Sequence, residues 1–229
     1  MAKRLVFLPT APDQPKLYSE RLVSFKWIPG MAISQGTKSV INVHASATEQ
    51  LGISHVLEIS TRSPEELGIR LSAFNLPIAI GERKVSVEVA YQSSKVFENA
   101  GPFKDLLAGS SLHAKQDLRL KTSGPLVGFR FEGVEWPLSS TPNFYDYLYI
   151  RALLEFPDSE QLRNYDAFTD IVFSQSTIEQ RENKSFNCQA RSAAIYCSLL
   201  QRISKEELIP FLQSESGKTI VSSEQLGLF

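Results

Sequence analysis

The sequence predicts an α+β fold. Three observations carry that expectation: short alternating apolar runs near the N-terminus, stretches with helix-start signals further on, and no internal repeat or low-complexity tract across 229 residues. One domain spanning residues 1–229 is the economical reading of such a chain.

The elements follow in order. "RLVFLP", "RLVSFKWI" and "HVLEIS" read as strands, and a helix is expected from about Lys38 to Gln50. In "SPEELGIRLSAFNLP", Ser63 is a candidate N-cap with Pro64 at the first helical position. "VSVEVAYQSSKVF" starts as a strand and then sets Glu88, Tyr91, Gln92 and Lys95 three or four residues apart. On a helix these four occupy one arc about 100° wide, which is either a narrow solvent face or the lining of a cleft. "GPFKDLLAGSSLHAKQDLRL" reads as two short helices, and "LVGFRFEGVEWPL" as a hairpin with Gly133 at its turn. "STPNFYDYLYIRALLEF" starts a helix with Thr141 before Pro142 and holds a lone Asp146 among aromatics. "AFTDIVFSQSTIEQRENKSF" is strand-like and then polar, the best candidate for a flexible loop. A small-residue helix, "NCQARSAAIYCSLLQRI", follows, and Ser204 with Glu207 forms a capping box ahead of the last helix.

Composition removes several function classes. Lysine plus arginine number 24 against 25 acids, so any nucleic-acid contact must be local rather than a matter of bulk charge. Cys188 and Cys197 sit too far apart along one helical segment for a disulfide and read as reduced core thiols. The apolar run in "MAKRLVFLPTAP" is shorter than a signal peptide's, and no run approaches about 18 apolar residues, so a cytoplasmic protein without a membrane segment is expected. His44, His55 and His113 lack partners at metal-ligand spacing, and no glycine-rich dinucleotide motif, P-loop or serine elbow occurs. What remains are polar or amphipathic residues in apolar context: Asn75, Trp136, Asp146, Asp170 and Asn187, with the Glu88 stripe. Each also has a structural reading, Asn75 as a turn residue, Trp136 as core, Asp146 as a polar helix face and Asn187 as an N-cap.

"SAFNLPIAIGERKVSVEVAYQSSKVF" resembles the central signature of the NADAR family. Phe74 and Asn75 fit its first element, Glu88, Tyr91, Gln92, Lys95 and Phe97 its second, and "HAKQDLRL" a weaker one that follows. "FTDIVF" and "SFNCQARSAAIYCSLL" are similar to a divergent closing region, with Asp170 and Asn187 at matching positions and the family's Trp and Gly replaced around Phe173. "GMAISQGTKSVINVHASA", "LEISTRSPEELGIRLSAFNLP", "QSSKVFENAGPFKDLL" and "EWPLSSTPNFYDYLYIRALL" look like the subgroup found beside DarT-type DNA ADP-ribosyltransferase toxins. The resemblance implies a mainly helical NADAR-like domain with small β-sheet elements. Its core motifs would span about 20–203, with a C-terminal helix at about 204–214. It further implies an antitoxin that removes ADP-ribose from the exocyclic amino group of guanine in DNA. ADP-ribosylated DNA would be its substrate, ADP-ribose its product, a DarT-type toxin a candidate partner, and no cofactor or metal would be needed.

The chemistry suits those residues. Breaking the bond puts positive charge on the ribose, so Glu88 is the first candidate for the stabilising carboxylate or general acid/base. Lys95, on the same expected helix face about 10 Å along the axis at 1.5 Å per residue, offers a second route, a Schiff base formed by an unprotonated amine. Lys38, expected just before a helix, competes for that role or for the diphosphate. Trp136, Tyr91 and Tyr147 are candidates to stack on a base, and Asp146 or Asn75 to bond ribose hydroxyls. Phe74, Gln92, Phe97, Asp170 and Asn187 complete the expected binding set. The target amino group takes part in base pairing, so single-stranded or flipped DNA is the expected substrate form. Two rival functions stay open: an N-glycosidase acting on a small nucleotide or riboflavin-pathway metabolite, and a non-enzymatic antitoxin that binds its toxin.

Overall fold

The computed structural model describes residues 1–30, 32–171 and 188–214, and the fold is α+β. The first elements are β1 (Ala2–Pro9), β2 (Tyr18–Phe25), α1 (Ile33–Leu51), β3 (Val56–Glu58) and α2 (Glu66–Arg70). Then come β4 (Pro77–Ile80), β5 (Arg83–Ser86), α3 (Val87–Ser93), β6 (Lys95–Phe97), α4 (Ser111–Gln116) and α5 (Arg119–Thr122). The chain continues through β7 (Leu126–Phe131), β8 (Val134–Pro137), α6 (Thr141–Glu155), β9 (Ala167–Thr169), α7 (Gln189–Leu199) and α8 (Lys205–Gln213). Contacts group the chain into two compact units, Met1–Ser72 with Pro157–Leu208, and Ala73–Phe156 with the described residues from Ile209 onward.

In the first unit a four-stranded sheet runs in the order β2-β1-β9-β3. β1 is antiparallel to β2 and β9, whereas β3 lies parallel to β9 with Leu57 opposite Phe168. α1 carries Val40, Val43 and Ala47 on one stripe, and these pack with Val6, Val23 and Phe25 of the sheet. The helix begins at Ile33, ahead of the expected onset, because Gln35 closes its first turn by accepting from the Ala32 N–H at 3.2 Å. α2 begins after the expected Ser63–Pro64 start. The Ser63 hydroxyl accepts from the Glu65 N–H at 3.2 Å and holds a turn there, which delays the helix to Glu66. Cys188 is the N-cap of α7 rather than a helical residue; both cysteines are buried and outside any disulfide, and burial pushes the Cys197 thiol up to about 12. The capping box at Ser204 forms, with Glu207 Oε2 accepting from the Ser204 N–H and hydroxyl at 3.0 and 2.8 Å.

The register that sets Glu58 opposite Thr169 brings two carboxylates, Glu58 and Asp170, into one buried environment. Burial, with the Asp170 charge adding to it, pushes the Glu58 carboxyl well above its ordinary value of 4.5, against hydrogen bonds from Ser60, Ile171 and Thr169. The Thr169 hydroxyl lies 2.7 Å from Glu58 Oε2 and 2.9 Å from His44 Nε2. Burial lowers the His44 imidazole to about 4. The one hydroxyl thus serves both partners, donating to Glu58 Oε2 and accepting from the Nε2–H of the neutral His44 imidazole.

In the second unit, β4 and β5 form a hairpin, and β6-β7-β8 a three-stranded antiparallel sheet. The β7–β8 turn is Glu132–Gly133, with φ of 47° and 84°, the left-handed pair that a two-residue hairpin turn requires. Phe144 of α6 packs on this sheet, 4.7 Å from Phe129, 5.4 Å from Trp136 and 6.1 Å from Phe131 between ring centroids. The segment expected as two short helices forms a 3₁₀ turn at Lys104–Ala108 and then α4 and α5, because Asp117 breaks the run to bind the Arg119 N–H and guanidinium. Asn187 and most of the expected polar loop lie outside the described residues.

A carboxyl whose folded value is raised contributes stability below its unfolded value and loses it as pH rises through the folded one. Wild type should therefore lose stability relative to Glu58→Gln as pH rises above 4.5 through neutral, by at most about 1.4 kcal/mol per pH unit. Urea unfolding of both proteins across that range checks this, and a constant difference between them would contradict it.

Candidate active site

The site begins with the start of α3. The Ser86 hydroxyl caps the helix by accepting from the Val89 N–H at 3.2 Å, and lies 2.7 Å from the Ser111 hydroxyl of α4. Ser111 also bonds the Phe74 carbonyl at 2.8 Å. The Val87 and Glu88 N–H groups donate to Leu76 and Ala73 carbonyls at 3.0 and 2.9 Å, so the unpaired first turn of the helix is fully used. Every residue of α3 is buried. The polar stripe is therefore not a solvent face: Glu88, Tyr91 and Gln92 are 7%, 4% and 7% exposed.

A buried carboxylate needs donors and opposite charge. Glu88 Oε1 accepts from Gln92 Nε2 at 3.0 Å, one turn along the helix, and lies 3.8 Å from Lys115 Nζ. Gln92 Oε1 is buried and has no hydrogen-bond partner among the described residues, which leaves a fixed acceptor beside the carboxylate. Lys115 lies over the Phe74 ring at 4.8 Å, and Lys95 over the Tyr91 ring at 4.9 Å. Burial lowers the Lys95 amine; the Glu88 charge opposes this, and the Lys115 charge adds to it. The result is one carboxylate flanked by two amines, each on an aromatic face.

Lys95 is not on the helix. The hydroxyls of Ser93 and Ser94 both bond the Ala90 carbonyl, at 3.0 and 2.7 Å, α3 stops at Ser93, and Lys95 opens β6 opposite Phe129. The expected spacing of two helical turns therefore does not hold, since the Lys95 side chain folds back over Tyr91. Tyr91 itself sits in the aromatic cluster, 5.3 Å from Phe129 and 5.5 Å from Tyr145.

A family model described as DarT1-associated NADAR antitoxin matches residues 2–222. The chain belongs to this family. No curated protein matches it.

The other residues predicted for this NADAR chain divide between core and surface. Phe97 packs on Phe103 at 6.1 Å in a core cluster with Val89 and Leu106. Trp136 is 3% exposed between Phe144 and Tyr147, and Asp146 is fully buried. Tyr147 is 4% exposed, and its hydroxyl accepts from Gln213 at 3.1 Å. Asn75 is exposed, beside the half-buried Phe74. Lys38 and Asp170 belong to the first unit. Lys38 lies inside α1 on its exposed side, so the expectation that it stands at a helix N-terminus fails with the earlier helix start at Ile33. Asp170 accepts from Gln189 Nε2 at 3.1 Å beside Glu58. Sequence reasoning missed Lys115, which in "HAKQDLRL" looks like any solvated lysine; its one signal is that it lies a helical turn beyond Ser111. Among the described residues no His, Cys, Asp and Glu cluster suits a metal ion, and no helix is long and apolar enough to cross a membrane.

Removing the Glu88 charge takes away the one influence that favours the Lys95 ammonium. In Glu88→Gln the Lys95 amine should become reactive at lower pH than in wild type. Following reductive methylation of Lys95 by peptide mass spectrometry across pH measures this, and a shift to higher pH would contradict the pairing.

Proposed function

We propose that this NADAR antitoxin hydrolyses the bond between ADP-ribose and the exocyclic amino group of guanine in DNA, undoing the modification made by a DarT1-type toxin. The observation that carries this reading is the buried Glu88 carboxylate beside Lys95, an amine with a neighbouring ring and no hydrogen-bond acceptor among the described residues. Partial burial disfavours the ammonium form of Lys95, which makes the amine a candidate nucleophile.

The reaction follows from these two groups. The ribosyl–guanine aminal opens to its imine as one proton moves from the guanine nitrogen to the ring oxygen. The Lys95 lone pair adds to the anomeric carbon, and the bond from that carbon to guanine breaks. Glu88 relays the two protons of the lysine nitrogen, one after the other, to the departing guanine nitrogen, which leaves as the free amino group while a neutral imine remains on Lys95. Water then adds to the lysine Schiff base, which returns the free amine and ADP-ribose. Lys95 is preferred over Lys38 for this step because it is partly buried beside a carboxylate, whereas Lys38 is exposed.

The surroundings are suited to a planar base and a sugar. Phe74 is half-buried next to the exposed Asn75, and Gln92 Oε1 is an acceptor for a ribose hydroxyl. Tyr91, Trp136 and Tyr147 act as the rigid floor rather than as mobile stacking partners, since each is nearly fully buried. Asp146 stays in the proposed binding set on the strength of the family resemblance. A net charge of −1 fits recognition of one extruded nucleotide better than tracking of a long duplex.

Incubation with a single-stranded oligonucleotide carrying one ADP-ribosylated guanine should release free ADP-ribose. Glu88→Gln and Lys95→Met should each lower the rate by about 100-fold or more. Borohydride added during turnover should leave an ADP-ribosyl adduct on Lys95. Turnover with no adduct would eliminate the covalent route, and Glu88→Gln that still protects cells from the toxin would favour neutralisation by binding.

A further inference from the structure

We propose that Lys115 is a positioning residue of this site: by occupying the Glu88 carboxylate, it keeps Lys95 out of an ion pair and so available as a free amine. The inference rests on the hydrolase reading for its consequence in turnover, but not for its consequence at Lys95 itself.

Three contacts carry it. Glu88 Oε1 is shared by Gln92 Nε2 at 3.0 Å and Lys115 Nζ at 3.8 Å. Lys95 makes no ion pair or hydrogen bond among the described residues; its ammonium faces the Tyr91 ring at 4.9 Å. Lys115 is held in place from its own helix, because Ser111, one turn earlier on the same face, bonds both the Phe74 carbonyl and the Ser86 hydroxyl. Its stem then crosses the Phe74 ring, with the amine 4.8 Å from the ring centre. The Lys115 side chain is 54% exposed and that of Glu88 9%, so the cation that pairs with the carboxylate keeps its hydration and the buried carboxylate is still neutralised.

The charges acting on Lys95 are Glu88 of α3 and Lys115 of α4. Packed alongside, α6 carries the buried Asp146 and also Arg151, which is committed to Glu132 at 2.5 Å; Arg130 of β7 is committed to Glu135 at 2.6 Å. A carboxylate tied to Lys115 attracts Lys95 less, and a second cation nearby repels a proton on it. Without Lys115, Glu88 would be free to turn to Lys95, hold its proton and remove the nucleophile.

The test compares Lys115→Gln and Lys115→Arg with wild type. The first readout is the pH dependence of reductive methylation at Lys95, which needs no substrate. Lys115→Gln should move the midpoint to higher pH, and Lys115→Arg should leave it near wild type. The second is the pH–rate profile on the ADP-ribosylated oligonucleotide, whose rising limb should move the same way; a limb displaced from pH 7 to pH 8, for example, would lower turnover below pH 7 about tenfold. Circular dichroism verifies folding, and Lys115→Ala replaces Lys115→Gln should the latter not fold. An unchanged Lys95 midpoint in the folded variant, or Lys115→Arg behaving like Lys115→Gln, would overturn the proposal. A wild type that releases no ADP-ribose would overturn the hydrolase reading and leave the Lys95 midpoint to decide this one.

Discussion

Setting a carboxylate on a helix that is buried along its whole length costs several kcal/mol unless donors and a cation meet it. Glu88 imposes that condition on the second unit, and much of the unit's local structure can be traced to it. The helix must start where its first N–H groups find the Ala73 and Leu76 carbonyls, so the chain before the β4–β5 hairpin is held against it. Gln92 must lie one turn on, with its amide nitrogen toward the carboxylate, even though its oxygen is then left without a bond among the described residues. α4 must be docked by paired serines so that Lys115 can reach over Phe74. An unsatisfied buried oxygen costs roughly 1–3 kcal/mol, a cost a fold bears most readily where a ligand will meet it.

The first unit holds a second buried acid and treats it differently. Among the described residues Glu58 has no lysine or arginine in hydrogen-bond contact; it accepts from hydroxyls and one backbone N–H, and the Asp170 charge lies beside it. Under those conditions the proton stays on the carboxyl. Two carboxyls of similar burial thus meet different partners: Glu88 has an amide N–H and the Lys115 amine, whereas burial and the Asp170 charge push Glu58 toward neutral. In the proposed reaction that difference suits Glu88 to proton relay beside a developing cation, while Glu58 is a core hydrogen-bonding residue.

Much of the fold was legible from local signals. Alternating apolar residues marked β1, β2 and β3, Gly133 marked the β7–β8 turn, and Ser204 with Glu207 marked the start of α8. The misses share a cause, which is side chains bonding backbone in ways that periodicity does not register. Gln35 extends α1 backward, Ser63 delays α2, and Asp117 divides the α4–α5 segment. At the site, the spacing of Glu88, Tyr91 and Gln92 was readable, but their burial was not, because the same pattern serves a solvated face. Lys115 was invisible for a related reason: its partner is distant in sequence, and only the docking of α4 on α3 brings the charges together.

The end of α3 shows how a short-range competition can shape a site. Two successive serines offer their hydroxyls to the Ala90 carbonyl, and the helix stops at Ser93. The Ser94 carbonyl then accepts from the Arg130 N–H at 2.8 Å, which pulls the chain directly into β6 and pairs Lys95 with Phe129. Had the helix run on, Lys95 would stand two turns from Glu88, with the intervening length of α3 between them. Leaving the helix early instead lets its long stem fold back across Tyr91, where the amine feels the Glu88 charge without bonding to it. For the proposed reaction the amine must be close enough to the carboxylate to exchange protons and far enough not to be captured by it. The switch from helix to strand at Ser94 places the Lys95 amine over Tyr91, apart from the Glu88–Lys115 pair.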